Sequence, residues 1–330
     1  MTAPVRLGLY GLVLVAVFAL AAVTANVVID EDTVQNWVEE TPDDHHGQED
    51  DMNSAGHEDH GVGVLGLASA ENGYRLTEVG APADTGTEGE LSLAVTGPEG
   101  RPVTAFELDH DQELHLVVVR ADGRHFRHVH PERDAEGTWS IPWEWETAGS
   151  YRIFADFVPA ESGQGMTLST TVQVAGDYDP APATEQVTES SVAGFDVAVE
   201  GDLVAGEASE LTMTIFRDGE PVTALEPYLG AFGHLVAVRD GDLAYLHVHP
   251  HRDASGPDDT SGPEIVFDAT APTPGRYLLF LDFQVDGQVH TVPLVIDTTT
   301  NVGENEGSDT SDTSVAGGDE HDEEGDDHDH

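Results

Sequence analysis

The sequence predicts an all-β chain built from two tandem homologous antiparallel β-sandwich domains, and three observations predict it. The middle of the chain is written twice. Its apolar segments are short, alternate with polar residues and are punctuated by Gly, Pro and Asp. No long stretch carries the 3.6-residue period of an amphipathic helix, so short strands joined by turns are the economical reading, about seven to each copy.

The repeat comes first, because it fixes the domain plan. Pro102-Val103-Thr104 aligns with Pro221-Val222-Thr223, and the same offset carries His115 to His234, Arg120 to Arg239, His128 to His247, His130 to His249 and Arg133-Asp134 to Arg252-Asp253. Further on, YRIFADF from Tyr151 meets YLLFLDF from Tyr277, which pairs Asp156 with Asp282. GQGMT then meets GQVHT, which pairs Met166 with His290. The two domains are expected over 71–175 and 190–298. Residues 176–189, rich in Pro, acids and small residues, read as an extended linker between them.

Outside the repeats the sequence changes character. Residues 1–29 hold Arg6 followed by an uncharged apolar run from Leu7 to Ile29, closed by Asp30, Glu31 and Asp32. The run is long enough to span a bilayer with the body of the chain outside. A signal peptide cleaved near Val23-Thr24-Ala25 is the rival reading. Both place the domains outside the membrane: single-pass in the first case, secreted in the second. Residues 30–70 read as an acidic, His-containing disordered stalk, and 299–330, ending in GGDEHDEEGDDHDH, as a disordered tail of the same kind.

Charge narrows the function classes. The 330 residues carry 64 Asp and Glu against 12 basic residues, all of them Arg, for a formal net charge of −52. Such self-repulsion is screened at molar salt, where the Debye length falls to about 3 Å, so a salt-adapted, halophilic chain is expected. Nucleic acid, itself a polyanion, is not an expected partner. The sequence has no Cys, which excludes disulfides, thiolate ligands, Cys nucleophiles and a type 1 blue-copper centre. It contains no nucleophile elbow, phosphate-binding loop or zinc-protease helix motif, so an enzyme is not expected.

The chemistry concentrates in the repeated His-Val-His-Pro. In HLVVVRADGRHFRHVH an Asp122-Gly123 turn pairs positions summing to 245, which sets His115 opposite His130 and Val117 opposite His128. In the second copy a Gly241-Asp242 turn pairs positions summing to 483 and sets His234 opposite His249. An Asp240-Gly241 turn would set His234 opposite His247 instead. Either way three histidines share one face. The predicted metal ligands are therefore His115, His128, His130 and Met166 in the first copy and His234, His247, His249 and His290 in the second, one site per sandwich. Asp156 and Asp282 are expected to orient a ligand His through its second ring nitrogen. Imidazoles suit copper, and zinc or nickel behind it. The same histidines also fit a purely structural role, tying strand ends to loops. His110, His125 and His251 lack a His counterpart in the other copy and read as surface residues. Arg133-Asp134 and Arg252-Asp253 read as loop salt bridges.

The runs PVTALEPYLGAFGHLVAV, LHVHP and PGRYLLFLDFQVDGQVHTVPLVI, and in the first copy PVTAFELDHDQELHLVVV, FRHVHPE and AGSYRIFADF, resemble the secreted YtkA-like and FixH-like modules and, more loosely, CopC-type copper carriers. The resemblance covers both domains but neither stalk nor tail. It implies Ig-like or cupredoxin-like sandwiches, exported from the cell, that carry or sense copper. The function expected is a membrane-anchored extracellular copper-binding protein that buffers, delivers or senses the ion, with a metal-transfer protein as partner. The alternative is a structural surface protein without metal.

Overall fold

The computed structural model describes residues 66–246 and 248–299, and within these the side chain of His249 is not described. The predicted membrane segment, nearly all of the stalk, the tail beyond Thr299 and His247 lie outside the described residues. Among the described residues, no helix is long and apolar enough to cross a membrane.

The first copy holds ten strands: β1 (Ala70–Glu71), β2 (Tyr74–Gly80), β3 (Gly89–Thr96), β4 (Phe106–Glu107), β5 (His115–Arg120), β6 (Arg127–Val129), β7 (Glu132–Arg133), β8 (Thr138–Trp143), β9 (Gly149–Pro159) and β10 (Met166–Val174). The second repeats the plan with β11 (Glu189–Val192), β12 (Phe195–Glu200), β13 (Ala208–Arg217), β14 (Glu220–Pro221), β15 (His234–Arg239), β16 (Tyr245–Leu246), β17 (His249–Pro250), β18 (Glu264–Thr270), β19 (Arg276–Val285) and β20 (Gln288–Asp297). All of the strand pairs are antiparallel. Each copy forms two sheets, ordered β1-β2-β3-β8-β7 and β10-β9-β5-β6 in the first, β11-β12-β13-β18-β17 and β16-β15-β19-β20 in the second. The fold is thus a duplicated β-sandwich, with more than the seven strands per copy that the sequence predicts, several of them only two or three residues long.

Alternation explains each sandwich interior. In β5, Leu116 and Val118 point into the first core, beside Ile153, Ala155 and Phe157 of β9 and Leu168 of β10. In β15 and β19, Leu235, Ala237, Leu279 and Leu281 do the same in the second core. Each Leu, Ile, Val or Phe among them, fully buried, contributes roughly 1.5–3 kcal/mol.

The other face of these two sheets is also apolar, and it is covered by the other copy. Val117, Val119 and Phe154 of the first copy and Val236, Val238, Leu243, Tyr245, Leu278, Phe280 and Val295 of the second form one buried cluster. The contacts are reciprocal. Phe126 stacks on Phe280, with ring centroids 3.9 Å apart and planes 4° from parallel, while Tyr245, the counterpart of Phe126, packs 5.3 Å from Phe154, the counterpart of Phe280. Gly123 is required at this boundary: its φ is +76°, and a Cβ there would come within 2.2 Å of Leu278.

The extended segment between the domains is fastened to both of them. Its carbonyls at Asp179, Ala181 and Ala183 accept bonds from Arg120, Arg124 and Arg276, and Val187 pairs with Val295. The guanidinium of Arg120 is in turn held by both oxygens of Asp122, at 2.8 and 2.6 Å. Burial alone would raise the pKa of Asp122, but Arg120 and the backbone N–H groups of Ala181 and Arg124 outweigh it and hold the value at about 2. Arg133 departs from expectation: it pairs with Glu113 at 3.0 Å and lies over Trp139 and Phe106, while Asp134 instead accepts the N–H groups of Glu136 and Thr138.

Candidate metal centre

The hairpin β5-β6 adopts the predicted register, with Leu116 opposite Val129 and Val117 opposite His128. In the second copy Ala237 faces Leu246 and Val238 faces Tyr245, so positions again sum as the Gly241-Asp242 turn requires. Since Val117 points to the boundary between the copies, His115, His128 and His130 point there too. Their ligating nitrogens all lie within 4.8 Å of one another. His115 Nδ1 is 3.0 Å from His128 Nε2 and 3.2 Å from His130 Nε2.

Hydrogen-bond partners fix which nitrogens carry protons. His115 Nε2 is 3.0 Å from the carbonyl oxygen of Asp109, which only accepts, so the proton sits on Nε2 and the lone pair on Nδ1. His128 Nδ1 is 2.8 Å from Asp282 Oδ2 and donates to it, which leaves the lone pair of a neutral ring on Nε2. Two lone pairs therefore face each other across 3.0 Å, with a third ring nitrogen beside them. That arrangement is repulsive unless a cation lies between the rings, whether a proton or a metal ion. A metal with bonds of about 2.0–2.1 Å to nitrogen sets tetrahedral ligand atoms roughly 3.3 Å apart, close to the spacings found here.

Electrostatics favour the neutral form of His115, His130 and His234. Burial first, and His128 second, lower the pKa of His115. Burial and the surrounding histidines bring His130 down to about 3. His234 also falls to about 3, chiefly through burial, with His110, His128 and His115 adding to it. Neutral imidazole is the form that binds metal.

The second-copy residues do not stand at a separate corner. His234 repeats the geometry of His115, its Nε2–H donating to the carbonyl oxygen of Tyr228 at 2.8 Å. Its ring lies 6.4 Å from that of His128 and 4.9 Å from that of His110. His110, His115, His128 and His130 of the first copy and His234 of the second thus meet in one cluster where the sandwiches join. His247 and the side chain of His249 lie outside the described residues.

His110 was missed by sequence reasoning, which took it for a surface residue. It sits on a turn at φ +44°, and its ring also lies 6.4 Å from that of His115. The only available signal was its nearness in sequence to His115.

Asp156 and Asp282 stand where a ring-orienting carboxylate is needed, opposite His115 and His234 in register. The surprise is that Asp282 serves His128 of the other copy. The side chains of that pair are 3% and 4% exposed. Asp156 accepts from Thr167 at 3.0 Å, and the Tyr245 hydroxyl lies 3.5 Å from its other oxygen.

Met166 and His290 are not brought to the cluster. Met166 pairs with Phe157 and is buried in the first core, while Thr167 is the neighbour that shares a face with Asp156. His290 likewise pairs with Phe283, and its ring packs 4.7 Å from Phe195. Strand alternation puts both on the face opposite the histidines. The fourth ligands suggested by the repeat are therefore corrected: neither side chain belongs to this centre.

Fold and site together define a duplicated all-β protein of Ig-like sandwich type with a buried three-histidine cluster that could coordinate a metal ion. The chain belongs to the family described as "Domain of unknown function (DUF8832)", which matches it twice, over residues 68–176 and 190–300. No curated protein matches it. Among solved structures, a DUF4426 family protein from Pseudomonas aeruginosa is 12% identical, with 34% of this chain and 96% of that one covered and a TM-score of 0.25. Invasin, a bacterial integrin-binding protein, is 14% identical over 69% of this chain and 39% of its own, with a TM-score of 0.20. A putative membrane anchored protein from Corynebacterium diphtheriae is 12% identical over 69% and 58%, again at 0.20. None of these likenesses bears on function.

Proposed function

We propose that the chain is an extracellular metal-binding protein, held at the membrane by residues 1–29, that buffers, delivers or senses copper, and that it is not an enzyme. The observation that carries this reading is the pair of hydrogen bonds that fix the ring protons of His115 and His128. They turn Nδ1 of one and Nε2 of the other toward the same point, beside Nε2 of His130. Copper(II) is preferred because nitrogen-donor sites bind it more tightly than the other divalent first-row metals. The resemblance to copper-handling modules leans the same way. The acidic composition supports a setting in concentrated salt.

Equilibrium dialysis of the full chain against Cu(II) and Zn(II) in molar salt tests the proposal. The expected result is at least one ion retained by the wild type and lost in the double variant His128→Ala/His130→Ala, with Cu(II) bound more tightly than Zn(II). Equal retention by wild type and variant would sink it. A second reading, a structural cluster in which the 3.0 Å gap between His115 and His128 is closed by a shared proton, is favoured by the carbonyl bonds of His115 and His234. That reading expects no ion to be retained at these rings.

A further inference from the structure

We propose that an ion held by His115, His128 and His130 clamps the two sandwiches to each other through Asp282, so that ion binding and pairing of the copies form one linked equilibrium. The proposal rests on the metal-binding reading above and adds to it what the ion does to the molecule.

The ligand rings belong to the first copy, and the carboxylate that orients the middle one belongs to the second. His128 donates to Asp282 Oδ2 at 2.8 Å across the boundary, with both side chains almost fully buried. The other oxygen of Asp282 accepts from the hydroxyl of Thr291 on β20, so the carboxylate is fastened to its own sheet. Backbone pairing of Asp282 with His234 fixes it further. A metal bond at Nε2 draws electron density from the imidazole and makes its Nδ1–H a stronger donor. The bond that strengthens is the one to Asp282, which joins the two copies rather than two parts of one.

The surroundings make this coupling effective. Val117, opposite His128 in register, belongs to the apolar cluster between the copies, where Phe126 stacks on Phe280. His110 of the first copy also packs against His234 of the second, so side chains of both copies interleave around the site. By linkage, if the bound ion favours paired copies by some factor, pairing raises ion affinity by the same factor. Asp282 is in these terms a positioning residue, acting on the ion only through His128.

Hydrogen exchange of the full chain, read by mass spectrometry with and without saturating Zn(II) in molar salt, tests the clamp. Peptides covering β19 and β20 report the second copy, and those covering β5 and β6 report the first. The expected result is that Zn(II) slows exchange about tenfold or more in both sets. In Asp282→Asn the ion should bind roughly 10- to 100-fold more weakly. At concentrations that saturate this variant, the slowing should remain in β5 and β6 and vanish from β19 and β20. His128→Ala supplies the background from ions bound elsewhere. Zn(II) retained at the triad with slowing confined to the first copy would overturn the clamp and leave the metal-binding reading standing. Affinity of Asp282→Asn within twofold of wild type would do the same. Absence of Zn(II) binding at the triad would overturn the clamp, and absence of Cu(II) binding there as well would overturn the metal-binding reading with it. The wild-type comparison stands alone if the variant does not fold.

Discussion

Replacing Phe280 by Ala removes the ring on which the pairing of the copies turns. Phe280 is 4% exposed and stacks on Phe126 at 3.9 Å, facing away from its own sandwich core. Truncating a buried Phe costs about 3–5 kcal/mol, and an aromatic pair contributes about 0.5–1.5 kcal/mol beyond the area it buries. Phe126 is only half-buried, so Phe126→Ala alone should cost less, and the double variant should fall short of the sum by about 1 kcal/mol. The assay is urea unfolding in molar salt followed by tryptophan fluorescence. The described tryptophans, Trp139, Trp143 and Trp145, all belong to the first copy, whereas Phe280 belongs to the second. A shift of the tryptophan transition in Phe280→Ala therefore reports that the copies unfold as one cooperative unit. An unmoved transition, or a coupling energy indistinguishable from zero, would refute the argument that the boundary is a core in its own right.

Two further outcomes follow from the same geometry. Asp122 is held at about 2 when folded against an ordinary value of 3.8, so its stabilising effect is complete above pH 4 and is lost as the pH falls through 2. That difference corresponds to about 2 kcal/mol, and Asp122→Asn should lack this portion of the acid dependence when urea midpoints are compared at pH 5 and pH 2; an identical pH profile would contradict it. Met166→Leu and His290→Ala should each leave the dialysis stoichiometry and affinity for Cu(II) unchanged, and Met166→Leu should cost less than about 1.5 kcal/mol of stability. A fall in affinity in either variant would return that residue to the site.

Much of the architecture was legible because β-structure writes itself in period two. The Asp122-Gly123 turn and the constant offset between copies set the β5-β6 register, and the register set the face shared by the three histidines. What covers that face was not legible in the same way. HLVVVR carries apolar residues on both sides, and a run apolar on both faces announces a strand buried twice without saying against what. The bond from His128 to Asp282 spans 154 positions, and nothing local marks it. Met166 failed for a different reason. Its face depends on the β9-β10 register, which the intervening loop leaves open by one residue, and a shift of one residue exchanges Met166 for Thr167 beside Asp156. The segment expected to span the membrane and nearly all of the sequence expected as stalk and tail lie outside the described residues.

The reciprocal packing of Phe126 on Phe280 and of Tyr245 against Phe154 has the form of an isologous interface, the kind two identical subunits make around a two-fold axis. Here both halves lie on one polypeptide. Tethered halves meet at an effective concentration in the millimolar range, whatever the dilution of the protein. A homodimer of single copies would dissolve its shared histidine cluster as it was diluted, whereas this chain keeps it assembled one molecule at a time. Joining the halves also frees each side of the axis to hold a different residue, Phe126 on one and Tyr245 on the other, so a junction that began symmetric in plan can become directional in use.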